Sequence, residues 1–534
     1  MSTDTTNVEA KKSLIDGAGR GLFALKNFAP GDIILSLDRP LVAELDNDRI
    51  RDTCGWCLQR APTDPSERQR AAAMGFPTVE VKSCTGCRKV CYCSRLCQSK
   101  AWKREHKYEC KVLAAEPDHD LPEEVRGAIK LLGRLDGDPT ARESILDILK
   151  FTPSGIQGGL DALKKHDSQL FEGLQMLGDA AWRLSNRTKP EREHLARGLV
   201  LNVNCNAINL RSPFDKTLSV VGFDPTLCSA NHSCDPNAVS VFNQPAELLR
   251  ALKPIKKGEE ITVSYPGQSN PFSVRRADLK QTWLFDCHCT KCRKGPVTPD
   301  DVYAIPAENL SADYFKLADG LIKRHAKDLP NHLPPKGNNL VHRRLTAMEA
   351  WAFQIASKQD ATITELQGAL SMCINSGMWT WARQPVPKLA AQLVVKCLES
   401  GDVHRAFLVA CKVHFAVQTR GSMPTFHPSR VIGAWELSTM TNVLCGPQFD
   451  DIERQLKKAG IDLRAVYFGF LFEAYDNMPK AYGYDSPFGK VVQKTYQELM
   501  DNIGLGDAEI RKRVKQSWPA LETLVKEVDV LGER

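Results

Sequence analysis

Short apolar runs broken by glycine and proline mark the start of the chain and return after residue 218. Residues 13–25, Ser-Leu-Ile-Asp-Gly-Ala-Gly-Arg-Gly-Leu-Phe-Ala-Leu, read as a strand, a glycine turn and a second strand. Pro30-Gly31-Asp32 makes a turn, and Ile33-Ile34-Leu35 a further short strand. Strand signals resume at 219–223, 238–242, 248–252 and 261–263. Between these β regions the period becomes helical. Leu131, Leu132, Ile145, Leu146, Ile148, Leu149, Leu160, Leu163, Leu174, Leu177 and Leu184 recur on that spacing, with breaks near Pro139 and at Pro153-Ser154-Gly155. The pattern predicts a helical insertion within a β fold. Past Pro296 it is helical to the end, apart from a Pro/Gly/Asn-rich stretch at 330–339. Pro387–Val417 reads as two antiparallel helices around Ser400-Gly401-Asp402, carrying Leu389, Leu393, Val394 and Leu398, then Ala406, Val409 and Val413. Such hairpins suit a tetratricopeptide-like array, although no repeat at a fixed period of about 34 residues stands out.

A length of 534 residues allows roughly two to four domains. No apolar run approaches the eighteen or so residues of a membrane span, so no membrane association is expected. The start, Met-Ser-Thr-Asp-Thr-Thr-Asn, has neither the basic nor the apolar stretch of a secretory signal. A reducing compartment follows as the expectation, and there eighteen cysteines stay free or bind metal. Eight of them fall between Cys54 and Cys110, and three between Cys287 and Cys292. Cys373, Cys397, Cys411 and Cys445 stand singly in apolar helical stretches and read as core thiols. The net charge of +7 is local, because Lys82–Lys111 alone holds nine Lys/Arg against two Glu. Zinc-bound thiolates reduce that to a modest basic patch, so contact with DNA ranks low.

Cys54-x2-Cys57, Cys84-x2-Cys87, Cys93-x3-Cys97 and His106-x3-Cys110 are four pairs whose members stand one turn apart. Each pair can fill two corners of a tetrahedral zinc site, so eight ligands make two closed, structural sites. Cys91 is surplus, unless it takes the place of Cys93. Further on, Asn231-His232-Ser233-Cys234-Asp235-Pro236-Asn237 precedes Gly258-Glu259-Glu260-Ile261-Thr262-Val263-Ser264-Tyr265. Cys287, Cys289 and Cys292 then form a Cys-x-Cys-x-x-Cys cluster behind Arg275-Arg276 and Trp283-Leu284-Phe285.

That order resembles the catalytic end of SET-domain lysine methyltransferases, and the earlier Cys/His array resembles a MYND zinc finger. The chain thus looks like a SET- and MYND-domain protein. The resemblance implies an S-adenosylmethionine-dependent transfer of methyl groups to lysine side chains of histone or other proteins. It places the catalytic tyrosine at Tyr265. It also assigns Asn231, His232, Asn206, Phe285, Tyr265 and the Gly19-Arg20-Gly21 stretch to the cofactor, with Asn206 on a strand entering the core. Interleaved ligation would put Cys54, Cys57, Cys93 and Cys97 on one zinc, and Cys84, Cys87, His106 and Cys110 on another. A third zinc would join Cys234 to Cys287, Cys289 and Cys292, which brings the expected metal content to three. His288, between two of these ligands, reads as exposed.

The fold class that follows is a mainly β, pseudoknotted SET core with an inserted finger, a helical insert and an all-α C-terminal part. Residues 1–50 would begin the SET domain, 51–112 form the finger, 113–200 the helical insert and 201–266 the catalytic core. Residues 267–296 would be the post-SET segment and 297–534 the helical C-terminal domain. A monomer in the nucleus, the cytoplasm or both is expected, acting on a protein substrate, with peptide partners at the finger. The rival reading is a non-catalytic scaffold that uses finger and helices to bind transcriptional or chromatin partners. Arg511-Lys512-Arg513-Val514-Lys515 reads as a solvated helix face or a nuclear signal.

Overall fold

The computed structural model describes residues 3–62, 65, 68, 79–148, 155–185, 192–213, 219–304, 312–325, 340–420 and 423–531. By internal contacts the chain divides into two compact units. The first comprises Met1–Tyr265, Asp278–Cys287 and Pro479–Val491; the second comprises Pro266–Ala277, His288–Met478 and Val492–Arg534.

Among the described residues three small sheets and a two-stranded hairpin build the β part of the first unit. Strands β1 (Val8–Lys12) and β2 (Arg20–Ala24) run antiparallel, with Ala10 opposite Leu22. The glycine turn lies between them as expected, but the first strand ends at Lys12, so Ser13-Leu14-Ile15, expected to form it, belong to the connection instead. Strand β3 (Ile33–Leu37) lies where its apolar run predicted. Two short strands, β4 (Val42–Leu45) and β5 (Lys82–Ser83), follow, then β6 (Cys91–Tyr92), β7 (Ile208–Arg211) and β8 (Ser219–Phe223). The last four are β9 (Asn231–His232), β10 (Ala238–Asn243), β11 (Ala246–Ala251) and β12 (Glu260–Val263).

The sheet that matters for function has the order β1-β2-β12-β9. Here β12 pairs antiparallel with β2 and parallel with β9, setting Thr262 opposite Asn231 and Val263 opposite His232. A second sheet, β10-β11-β3, buries Leu35, Leu249 and Ala251 against Leu22 and Ile261 of the first. The third, β4-β8-β7, covers Leu45, Leu210 and Val220. Strands β2, β3, β4 and β11 carry residues buried on both faces, which is why simple alternation marks only some of the strands.

The helical insertion is present as helices at Glu123–Gly137, Pro139–Ile148, Gly155–His166, Ser168–Leu184 and Arg192–Asn206. Val125, Ile129, Leu132, Ala181, Leu199 and Val203 form its core. The break at Pro139 has a clear cause. Asp138 leaves the helical region (φ −137°), and its carboxylate accepts from the N–H groups of Thr140 and Ala141. Proline then opens the next helix, where its missing N–H costs nothing. The other expected break, at Pro153-Ser154, lies outside the described residues, as does the 330–339 stretch.

In the second unit, helices at Val386–Glu399 and Val403–Arg420 form the expected hairpin, with Gly401 in the left-handed region (φ +82°) between them. Leu366, Leu370, Leu389, Leu393, Phe407 and Phe470 belong to its core. Cys373, Cys397 and Cys411 are buried there and Cys445 is half-buried. Segment Pro479–Val491 belongs to the first unit, where Asn243 Nδ2 donates to the Tyr482 carbonyl (3.0 Å) and Arg250 Nη1 donates to that of Gly31 (2.8 Å). Among the described residues no helix is long and apolar enough to cross a membrane.

Candidate active site and metal centres

Two turns of identical design present four of the cysteines. Leu58 and Arg88 both have positive φ (61° and 57°), and each sends its N–H back to the carbonyl of the first cysteine of its pair, Cys54 or Cys84. The β5–β6 hairpin, with Lys82 opposite Tyr92, sets the second of these turns. Of the other four ligands, three lie on helices and Cys93 just before a helix cap. Ser94 caps the helix Arg95–Ala101 by accepting from the Cys97 N–H (3.1 Å), which leaves Cys93 and Cys97 one turn apart. His106 and Cys110 are likewise one turn apart on continuous helix.

The structure brings Cys54, Cys57, Cys93 and Cys97 together, and separately Cys84, Cys87, His106 and Cys110, with the ligand atoms of each set within 4.8 Å of one another. A tetrahedral zinc with bonds of about 2.3 Å to sulfur sets its thiolates about 3.8 Å apart, whereas a disulfide needs about 2.05 Å. The sulfur separations are 3.6 Å for Cys57–Cys93, 3.5 Å for Cys93–Cys97 and 3.8 Å for Cys84–Cys110. His106 Nε2 lies 3.4 Å from the Cys84 sulfur and 3.7 Å from that of Cys87. These spacings fit zinc and exclude disulfides. The Nδ1 of His106 sits 2.8 Å from Glu109, the carboxylate partner that a metal-bound imidazole ordinarily has.

Cys91 belongs to neither set. Its sulfur lies 3.5 Å from Ser83 Oγ and donates to the Lys89 carbonyl, and burial pushes its thiol pKa up. Cys91→Ser should therefore leave zinc content unchanged while Cys93→Ser lowers it, as elemental analysis of the two purified variants would read. In the third expected set, Cys234 and Cys287 are both buried in the first unit with sulfurs within 4.8 Å. In the second unit Cys289 stands at the N-cap of the short helix Thr290–Arg293 and Cys292 lies within it, and His288 is exposed.

The register of β12 does the rest. By pairing with β2 on one side and β9 on the other, it draws Gly21, Asn231, His232 and Tyr265 to one end of one sheet. The Tyr265 N–H donates to His232 Nδ1 (3.1 Å), so that nitrogen is an acceptor and the imidazole proton must sit on Nε2, facing the Cys234 sulfur at 3.2 Å. The Tyr265 hydroxyl donates to the Ala230 carbonyl (3.2 Å). Around its ring stand His232 and Trp283, both 5.2 Å away between centroids, and Phe285 at 6.5 Å. Burial pushes the Tyr265 phenol well above its ordinary pKa.

The two glycines of Gly19-Arg20-Gly21 are required for different reasons. Gly19 has φ +70°, and a Cβ there would meet nothing within 4 Å, so backbone conformation alone demands glycine. Gly21 has ordinary backbone, but its Cβ would lie 2.3 Å from Glu260 Oε1.

Asn206 departs from expectation. It ends the helix Arg192–Asn206 rather than lying on a strand, and its amide donates back to the carbonyl of Asn202 (3.2 Å). Helical hydrogen bonding continues as far as Ala207, so the strand begins only at Ile208. The Asn206 carbonyl accepts from the Cys228 thiol, two residues before Ala230. Glu260, Ser13 and Trp283 are the members that sequence reasoning did not single out. A carboxylate within a strand buried on both faces is the signal that could have found Glu260, since such a charge needs partners.

Residues 19–266 match the SET domain family model. "Histone-lysine N-methyltransferase ASHR1" of Arabidopsis thaliana is 29% identical over 276 residues, 51% of this chain and 53% of that protein. "Histone-lysine N-methyltransferase SMYD3" of Homo sapiens is 28% identical over 285 residues, covering 52% and 59%. "SET domain and MYND-type zinc finger protein 6" of Schizosaccharomyces pombe is 28% identical over 283 residues, covering 53% and 51%. The fold and the sheet-end cluster are those of a SET-domain protein. With the paired cysteine sets beside it, the chain is similar to SET- and MYND-domain proteins. It spans between 51% and 59% of the length of these relatives.

Proposed function

We propose that the chain is an S-adenosylmethionine-dependent protein-lysine N-methyltransferase of the SET type. The observation that carries this reading is the convergence of Asn231, His232 and Tyr265 with the Gly19–Gly21 backbone on one sheet end, beside the rings of Trp283 and Phe285. The residues present fit such a cofactor. The open space around Gly17 and Gly19 leaves backbone approachable, and the aromatic cluster offers ring faces to a sulfonium and a purine. The cofactor, when bound, supplies an electrophilic methyl group on a sulfonium. Two of the similar proteins bear the name histone-lysine N-methyltransferase, which supports the same class.

What the chain itself must do is hold a neutral lysine amine dry and aligned. Tyr265 suits this task. Its hydroxyl proton is committed to Ala230, so the phenol oxygen is left as an acceptor that can orient an amine N–H. Burial keeps it a phenol, so it aligns rather than acting as base, and the amine proton leaves to solvent. We place Asn231, His232, Arg20 and Phe285 at the cofactor, with Asn206 at its edge. We assign zinc to the two finger sets and, from the family resemblance, to Cys234 with Cys287, Cys289 and Cys292. Closed coordination makes these structural, bracing a MYND-type finger that recruits peptides. A nuclear or cytoplasmic protein substrate follows, with its identity open to experiment.

The test is transfer of tritiated methyl from labelled cofactor to a proteome extract, with mass spectrometry of the labelled bands. Labelled lysine supports the assignment. An absence of labelling by zinc-replete protein across extracts would favour the scaffold reading.

A further inference from the structure

We propose that Glu260 is a positioning residue that fixes which face of the Asn231 amide meets the cofactor, presenting Oδ1 as an acceptor for the cofactor's α-ammonium group. This rests on the methyltransferase reading above. Glu260 is buried on β12, yet its carboxylate gathers three donors. Oε1 accepts from Ser13 Oγ (2.7 Å) and from Asn231 Nδ2 (2.8 Å), and Oε2 accepts from the Leu14 N–H (3.0 Å). Gly21 makes room for it, since a side chain there would occupy the position of Oε1.

The consequence for Asn231 follows from hydrogen-bond polarity. On one side its amide meets Glu260 and the Arg20 carbonyl (2.8 Å), neither of which can donate. The group facing them must be the NH2, so Oδ1 is turned the other way. An amide oxygen held in that sense recognises a cation, whereas a flipped amide would offer a donor and repel it. The Arg20 carbonyl favours the same orientation through one neutral contact, and the charged carboxylate of Glu260 adds the stronger one, so Glu260 sets the recognition without touching the ligand.

Glu260→Gln distinguishes this from a role in folding alone, because glutamine keeps the shape and loses one acceptor. The Leu14 N–H can only donate, so it draws the glutamine oxygen to itself. The new NH2 then faces Ser13 and the Asn231 NH2, so the Asn231 amide either keeps a donor-to-donor clash or rotates and sets Oδ1 against the Arg20 carbonyl; both spoil the presentation of Oδ1 to the cofactor.

Calorimetry on the full chain, wild type and variant, should use two probes. S-adenosylhomocysteine carries the amino-acid end; 5′-methylthioadenosine has the same adenosine thioether without it. The variant should bind S-adenosylhomocysteine about ten- to a hundredfold more weakly, the worth of a charge-assisted contact, and methylthioadenosine as the wild type does. Ser13→Ala, which removes one anchor of the carboxylate, should show the same selective loss to a smaller extent. Unchanged affinity for S-adenosylhomocysteine in both variants, or equal loss for both probes, would overturn the role. A wild type that binds neither probe would instead overturn the methyltransferase reading, and this proposal with it.

Discussion

Tyr265→Phe should lower methyl transfer by about a hundredfold or more while affinity for S-adenosylhomocysteine stays near that of the wild type, since loss of one positioned group at a reacting centre commonly costs this much. The substitution removes a single hydroxyl. The ring keeps its neighbours His232, Trp283 and Phe285, and the backbone N–H of residue 265 still holds His232. Only the bond to the Ala230 carbonyl is lost from the fold, worth about 1 kcal/mol. Turnover and cofactor binding should therefore separate, measured on one identified substrate. Equal rates in wild type and variant would remove Tyr265 from the chemistry.

The same hydroxyl predicts a pH profile. Burial, ahead of the nearby Cys228 and Glu260, raises the phenol above its usual value of 10.0. The active form is the protonated phenol, so it persists through the whole range below that value. Turnover should rise with pH as the substrate amine loses its proton, and should show no falling limb from Tyr265 up to about pH 10. A descending limb centred near pH 8 or 9 that disappears in Tyr265→Phe would contradict the phenol's burial.

Local chemistry made much of this legible. Ligands one turn apart define the finger pairs whatever fills the 62–79 interval between them, and glycine at 19 marks a turn that only a left-handed residue can make. Ile33–Leu37, Ala238–Asn243 and Ala246–Ala251 were readable because their runs are β-branched or leucine-rich and bounded by turn residues. Other features depend on pairing across long sequence separations, which no local period encodes. The two-residue strand Asn231–His232 exists only because Thr262 and Val263 lie beside it. Glu260 gains its partners Ser13 and Leu14 from positions 247 and 246 residues away. Asn206 was misplaced for a related reason. Its asparagine-rich context, Asn202 to Asn206, lacks helical periodicity, but packing of Leu199 and Val203 into the insert's core carries the helix through it.

Lys130→Met should cost the first unit about 3–5 kcal/mol of stability, the usual penalty for stranding a buried charge. Lys130 sits on the helix Glu123–Gly137 between two buried carboxylates, 2.8 Å from Glu44 and 3.3 Å from Glu109. Burial alone would lower the pKa of Lys130, but Glu109 and then Glu44 outweigh it and hold the ammonium charged. Glu109 in turn is kept ionised, at about 2, because Lys130 and His106 outweigh its own desolvation. Methionine matches the lysine stem in length and removes only the charge. Glu44 then keeps Arg126 at 3.2 Å, but Glu109 keeps only the His106 contact. Urea unfolding at saturating zinc, followed through the helical signal, should show the midpoint fall. Adding Glu109→Gln to Lys130→Met should recover part of the loss, because the carboxylate left without a cationic partner becomes neutral. A loss below about 1 kcal/mol for Lys130→Met would mean that water reaches this cluster and that the helix Glu123–Gly137 is not anchored through it.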